Sequence, residues 1–170
     1  MIIEFDGKKP KIDESCFIAP NSTLIGDIII SENTLIFYGA ICRADINRIF
    51  IGPASCIQEN VVVHPHPDEP VTIEGESIVG YGSIIHGGTI KKGAFIGAGS
   101  IILHDVVIGA GSIVAADSMV IAGTKVPPGC LVAGKPCKVI REVEDSDLEW
   151  TRRAVNGYQN LLPEYRKTTA

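Results

Sequence analysis

Leucine and aromatic residues are scarce in this chain of 170 residues. Leucine occurs seven times and aromatic residues make up 6% of the sequence, against 26 isoleucines and 18 glycines. Helical proteins rely on leucine and alanine, whereas β-branched residues favour strands, so this composition excludes a helix bundle and predicts a β-rich fold. Hydrophobic residues account for 45% of the chain and charged residues for 21%, which excludes a disordered protein.

The chain also lacks the features of a membrane protein or a nucleic-acid-binding protein. No apolar run approaches the roughly 20 residues that span a bilayer, and the first ten residues are not those of a signal peptide. The net charge is −5 and the basic residues are scattered, so no basic stripe predicts contact with nucleic acid or anionic lipid. The five cysteines include no C-x-x-C pair, which favours free thiols in a reducing compartment. We therefore expect a cytoplasmic protein with no membrane or nucleic-acid partner.

Aliphatic residues recur every six positions over about 120 residues, which indicates an internal repeat. The longest unbroken run is Ile90, Ile96, Ile102, Ile108, Val114, Val120, Val126 and Val132. Neither a helix nor a hairpin sheet keeps this period. It predicts a parallel β-helix with three short strands per coil, in which the aliphatic side chains point inward and glycines permit the turns. At about 18 residues per coil, residues 12–135 form about seven coils.

The six-residue register breaks twice and then ends. The breaks lie near residues 43–50 and at Pro65–Pro70, where we expect protruding loops of the kind that commonly carry function. After residue 135 the apolar spacing becomes helical, and Ser146 to Glu149 has the pattern of a capping box. We therefore predict a β-helix domain over residues 1–135, then a linker and one C-terminal α-helix over residues 136–170, packed on the β-helix.

The repeat also places the histidines. His64 and His86 each follow an inward aliphatic residue one full coil apart, so they are expected to stack at one corner, about 5 Å apart. Two imidazoles at that separation can bind one metal ion or form a solvated surface pair, and the spacing leaves both open. A catalytic zinc site needs a third protein ligand, for which His66 and His104 are candidates that the spacing does not settle.

Several motifs together resemble the gamma-class carbonic anhydrases, which are left-handed β-helix trimers of the hexapeptide-repeat class. The matching segments are Arg43-Ala44-Asp45, Ile57-Gln58-Glu59-Asn60, Val63-His64 and Val79-Gly80-Tyr81-Gly82-Ser83-Ile84-Ile85-His86-Gly87. The resemblance extends from Phe17 to Pro136. It implies an all-β left-handed parallel β-helix and a homotrimer with its sites at the subunit interfaces.

The resemblance implies roles for individual residues. His64 and His86 match two ligands of a Zn²⁺ or Fe²⁺ ion, and the third ligand, a histidine of the neighbouring subunit, corresponds to Tyr81. A neutral phenol is a poor ligand at pH 7 unless the metal itself ionises it. Gln58 matches the catalytic residue that hydrogen-bonds the metal-bound water. Arg43 and Asp45 match an ion pair between subunits.

Three functions remain open at this point. The first is metal-dependent, reversible hydration of CO₂ to bicarbonate, weakened or lost because of Tyr81. The second is a non-catalytic, carbonic-anhydrase-like trimer that acts as a scaffold or binding protein. The third, less favoured, is a CoA-dependent acyltransferase with a histidine as general base.

Overall fold

The computed structural model describes residues 1–168, which form a parallel β-solenoid of about seven turns followed by one helix. Its elements are β1 Ile2–Ile3, β2 Lys11–Ile12, β3 Phe17–Ile18, β4 Thr23–Ile30, β5 Leu35–Ile36, β6 Ile41–Ile51, β7 Cys56–Ile57, β8 Val62–Val63, β9 Val71–Ile73, β10 Ile78–Val79, β11 Ile84–Ile85, β12 Gly88–Ile90, β13 Phe95–Ile96, β14 Ile101–Ile102, β15 Val107–Ile108, β16 Ile113–Val114, β17 Met119–Val120, β18 Lys125–Val126, β19 Cys130–Gly134, β20 Cys137–Glu142 and α1 Asp145–Lys167. This architecture is consistent with the predicted left-handed β-helix.

Strand pairing divides the solenoid into three faces. The helix-covered face contains β3, β5, β7, β10, β13, β16 and β19, stacked in that order. The open face contains the first part of β4, the first part of β6, and then β8, β11, β14 and β17. The third face contains the later parts of β4 and β6, and then β9, β12, β15 and β18. Strands β4 and β6 are long because each continues round the corner between the open face and the third face.

The aliphatic residues of the repeat fill the interior, as predicted. Ile57, Val63, Ile85 and Ile108 are fully buried and belong to one continuous core. All five cysteines are free thiols. Burial raises the pKa of the Cys42 thiol to about 12, so this cysteine is an inert part of the core.

Helix α1 packs along the helix-covered face through aromatic contacts. The ring of Tyr165 lies 4.9 Å from that of Phe17 and 5.0 Å from that of Phe37, measured between ring centroids. Tyr158 contacts Phe37 at 5.6 Å, and Leu162 is buried beside them. Within residues 1–168, no helix combines the length and apolar character that crossing a bilayer requires.

The start of α1 differs from the prediction. The N-cap is Glu144, whose backbone carbonyl accepts from the Asp147 N–H at 3.0 Å while the Asp147 carboxylate accepts from the Glu144 N–H at 2.8 Å. The prediction of a capping box beginning at Ser146 was wrong by two residues. Asp147 is held in place because Arg141 donates two hydrogen bonds to its carboxylate. A preceding basic residue therefore fixes where the helix begins.

Part of the segment expected to be a linker is a strand. β20 turns back and pairs antiparallel with β19, beyond the last turn of the solenoid. Its side chains are mostly exposed, so the six-residue pattern of buried aliphatics does not extend into it. The antiparallel strand closes the helix-covered face before the chain enters α1.

Candidate functional site

His64 and His86 lie at the corner between the open face and the third face. Strands β8 and β11 pair in register, and each histidine directly follows its strand. The two imidazoles are stacked, with centroids 5.7 Å apart and planes inclined by 8°. Nδ1 of His86 lies 3.2 Å from the His64 carbonyl oxygen. When His86 donates that bond, its Nε2 carries a free lone pair.

Asp45 connects Arg43 to His64 within one subunit. Its carboxylate accepts a hydrogen bond from Arg43, and its Oδ1 lies 3.1 Å from Nε2 of His64. Burial alone would raise the pKa of Asp45, but the bonds from Arg43 and His64 together hold it below its ordinary value. The aspartate is therefore ionised at neutral pH. His64 must release Asp45 before its Nε2 can bind a metal ion.

Gln58 and Tyr81 belong to a second network at the other edge of the open face. Gln58 is 5% exposed, its Nε2 donates to the Tyr158 hydroxyl, and its Oε1 accepts from the Tyr81 backbone N–H at 3.1 Å. The hydroxyls of Tyr81 and Tyr158 lie 3.4 Å apart. Burial, with the Tyr81 hydrogen bond next, raises the pKa of Tyr158 well above its ordinary value. Both ends of the Gln58 amide are thus occupied.

The described residues at this corner do not form a complete metal site. His64 and His86 present two imidazoles, which fit two of the three ligands of a catalytic zinc site. Among residues 1–168, no three His, Cys, Asp or Glu side chains are arranged to hold an ion. Tyr81 is 52% exposed and hydrogen-bonds towards α1. A three-ligand zinc site would need a further donor besides these two imidazoles.

The remaining two histidines adjoin the same corner. His66 and His104 stack on each other with centroids 4.5 Å apart. His86 lies 5.8 Å from His66 and 6.2 Å from His104, with its ring nearly perpendicular to both. All four histidines of the chain therefore form one connected cluster.

Comparison with known proteins agrees with this geometry. Residues 87–122 match the family model described as bacterial transferase hexapeptide (six repeats). A crystal structure of a hexapeptide transferase family protein from Anaplasma phagocytophilum superposes with a TM-score of 0.93 at 33% identity, covering 96% of this chain and 97% of that one. A carbonic anhydrase from Geobacillus kaustophilus is 41% identical over 93% of this chain and 87% of its own length. The chain belongs to the gamma carbonic anhydrase family.

Longer members of the gamma carbonic anhydrase family also match. Gamma carbonic anhydrase 2 from the mitochondria of Arabidopsis thaliana is 34% identical over 91% of this chain. This chain spans 58% of the length of that relative. Membership of the family therefore concerns the solenoid, and the activity of the whole relative is not carried over.

Sequence reasoning missed the contact that ties the helix to the site. Gln58 and Tyr158 are 100 residues apart, and the six-residue period says nothing about where α1 docks. The available signal was Tyr158 itself, a tyrosine on the apolar side of an amphipathic helix, because a buried phenol needs a hydrogen-bond partner. The stacking of His66 on His104 was missed because it depends on the path of the Pro65–Pro70 loop.

Proposed function

We propose that the chain assembles as a homotrimer through the open face. A column of outward apolar residues runs down this face, because strand pairing aligns Ile41, Val62, Ile84, Ile101 and Met119. Ile41 and Ile84 are 41% and 42% exposed. Contiguous apolar surface of this kind marks an interaction site, and α1 covers a different face.

A closed threefold arrangement also supports a shared site. Tyr81 lies at one edge of the open face, and the His64–His86 stack lies at the opposite edge. When three such faces surround an axis, one edge of each meets the opposite edge of its neighbour. Tyr81 of one subunit is then brought towards the two histidines of the next. The partly exposed Arg43–Asp45 pair beside His64 lies where it can contribute to the same interface.

We infer that this site carries out metal-dependent, reversible hydration of CO₂ to bicarbonate. The observation that carries this inference is the stacked His64–His86 pair at the edge of an exposed apolar face. These two histidines would hold Zn²⁺ or Fe²⁺, and a bound ion supplies the Lewis acidity that lowers the pKa of a water molecule towards 7. The His64 carbonyl orients His86, and the aliphatic column offers an apolar surface for CO₂. Gln58 of the neighbouring subunit, at the same edge as its Tyr81, would orient the water by exchanging one of its present hydrogen bonds.

Tyr81 makes this a weak site. Its phenol has to be ionised to serve as a ligand, which at pH 7 costs free energy that an imidazole ligand does not require. The same residue favours the second candidate, a non-catalytic trimer, because its hydroxyl is paired with Tyr158 of its own subunit. We therefore expect metal binding weaker than that of a three-histidine site, and slow hydration.

The deciding experiment uses protein purified without a histidine tag. Metal content and CO₂ hydration are measured for the wild type, Tyr81→His and His64→Gln. Stoichiometric metal with hydration that rises in Tyr81→His and disappears in His64→Gln supports the enzyme. Tyr38→His is the matched control, because Tyr38 lies at the same corner two turns away. An inactive wild type that becomes active only as Tyr81→His would establish the scaffold instead, and acetyl-CoA binding without hydration would favour the acyltransferase.

A further inference from the structure

We propose that a groove between α1 and the solenoid binds a small organic anion, a carboxylate or phosphate carried on an apolar chain. The groove has a volume of about 590 Å³, which is within the range of small-ligand sites. It lies at the corner between the third face and the helix-covered face. That corner does not adjoin the open face, so the groove stays accessible in the proposed trimer. The proposal uses no residue of the His64–His86 corner and does not rest on the proposed function.

The floor of the groove is made by small residues in a left-handed backbone conformation. Ala54, Gly93 and Gly111 occupy the same turn in three coils, with φ values of +53°, +71° and +63°. A Cβ on Gly93 would have the Gly111 nitrogen, at 4.0 Å, as its nearest neighbour outside its own segment. A Cβ on Gly111 would lie 3.8 Å from Cδ2 of Leu148. The space is therefore open beside Gly93, and the apolar side chain of Leu148 closes one end.

Helix α1 forms the wall along the length of the groove. It runs against the order of the coils, because Leu148 lies beside Gly111 while Gln159 donates to the Asn33 carbonyl at 3.0 Å. At a rise of 1.5 Å per residue, the helix from Leu148 to Gln159 is about 16 Å long. The three coil-to-coil steps from Ala54 to Gly111 span about 14 Å at the usual strand spacing. The groove is therefore elongated and suits a chain better than a compact ion.

The charges of the groove favour an anion. Its charged lining residues are Lys92, Arg152 and Glu76, so the lining carries a net charge of +1 in a chain whose net charge is −5. Nζ of Lys92 pairs with Glu76 at 2.8 Å. The exposed guanidinium of Arg152 has no hydrogen-bond or ion-pair partner within the described part of the chain. Because a guanidinium binds a carboxylate or phosphate through two parallel hydrogen bonds, we infer that Arg152 is the main contact for the anionic group.

The uncharged lining residues indicate the rest of the ligand. Leu148 lies one helical turn before Arg152 and offers it an apolar neighbour on the same side of α1. Val155 adds apolar surface on the other side of Arg152. A ligand whose acid group contacts Arg152 can therefore lay its carbon chain towards Leu148. Carboxylates and phosphates share this chemistry, and the test separates the two.

The test titrates untagged protein with octanoate, octyl phosphate and uncharged 1-octanol by calorimetry. We expect one site per subunit with a Kd of about 1 mM or tighter for at least one of the two anions, and at least about tenfold weaker binding of 1-octanol. Preference for octanoate identifies a carboxylate ligand, and preference for octyl phosphate identifies a phosphate ligand.

Three variants assign the binding to this groove. Arg152→Gln should weaken it at least about tenfold, because the charge-assisted hydrogen bonds are lost. Arg153→Gln is the matched control and should change the Kd by less than about twofold, since Arg153 pairs with Glu149 and does not line the groove. Glu76→Gln should tighten binding at least about twofold, because it releases Lys92 and removes a repelling carboxylate. Thermal unfolding of each variant verifies that the fold is intact.

Three results would overturn the proposal. The first is a wild type that binds neither anion, and the second is 1-octanol binding as tight as that of the anions. The third is equal weakening by Arg152→Gln and Arg153→Gln, which would indicate diffuse attraction to the helix surface. CO₂ hydration is measured separately and does not enter these outcomes, so the groove and the proposed function can fail independently.

Discussion

Replacing Gly97 with alanine should force two turns of the solenoid apart. A Cβ at this position would lie 2.7 Å from both the carbonyl carbon of Ala115 and the Cα of Ala116. Two carbon atoms attract at about 3.5–4.0 Å, so the backbones must separate by at least about 0.8 Å. The Gly97 N–H donates to the Val114 carbonyl at 2.7 Å, and the same shift would stretch that bond to about 3.5 Å, which is the limit of a hydrogen bond.

The expected cost combines overpacking with a weakened buried hydrogen bond. Overpacking typically costs about 1–3 kcal/mol, and a lost buried hydrogen bond a similar amount, so we expect a loss of about 3 kcal/mol for Gly97→Ala. For a chain of this length that corresponds to a fall in Tm of about 6–12 °C. Calorimetry measures the fall in Tm and urea unfolding measures the loss of free energy. Both are carried out at one fixed protein concentration, since association shifts apparent stability.

Substitutions at two other glycines distinguish the steric cost of an added Cβ from the cost of an unfavourable backbone conformation. Gly99 has a φ of +71°, and a Cβ there would lie at an ordinary contact distance of 4.0 Å from the Cα of Asp117, so Gly99→Ala should cost only about 1–2 kcal/mol for the left-handed conformation. Gly157 lies within α1 with no atom within 4 Å, so Gly157→Ala should stabilise the protein by about 0.8–1.0 kcal/mol. If Gly97→Ala proves no more destabilising than Gly99→Ala, the turns are not held at a fixed spacing and the reasoning fails.

Three further predictions follow from the site and the helix. Tyr158→Phe leaves the buried amide of Gln58 without its acceptor and should lower the free energy of unfolding by about 1–3 kcal/mol in urea titrations; an unchanged midpoint would refute the contact. Ile84→Glu places a charge on the apolar column of the open face and should convert the proposed trimer to monomers in light-scattering measurements, whereas a trimer that persists in this variant would exclude this face as the interface. The hydrogen bond from Arg141 lowers the pKa of Asp147 from 3.8 to about 2, so its stabilisation of α1 is present above pH 4 and is lost as the pH falls towards about 2. Circular dichroism against pH should show that loss in the wild type, and an identical acid profile in Asp147→Asn would contradict it.

The six-residue repeat correctly predicted the features that depend only on contacts between neighbouring turns of the solenoid. Ile57 and Ile85 are buried where the six-residue spacing placed them, because an inward aliphatic at each strand is a local requirement of every coil. The same count placed His64 on His86, at 5.7 Å against an expectation of about 5 Å. Because parallel strands of neighbouring coils pair in register, residues one coil apart in the sequence lie next to each other in the structure.

Contacts outside the repeat could not be predicted in this way. The bond between Gln58 and Tyr158 depends on how α1 docks, which is decided by aromatic packing across the helix-covered face. The stacking of His66 on His104 depends on a loop anchored by Glu69, a contact that no periodicity describes. The N-cap of α1 is Glu144 and not the predicted Ser146, because Arg141 of β20 donates a hydrogen bond to Asp147 in the first turn of the helix. In each case the deciding partner belongs to a different element.

The closing strand β20 bears on how the protein behaves at high concentration. A stack of parallel strands ends in a row of unpaired N–H and C=O groups, which can recruit another molecule and seed a growing fibre. β20 occupies that row on the helix-covered face, but it runs antiparallel and carries Lys138, Arg141 and Glu142. The end of a second solenoid would therefore meet a strand that runs opposite to the parallel strands of the face and that carries charged side chains. β20 thus prevents further parallel strands from adding to this end of the solenoid and discourages end-to-end polymerisation.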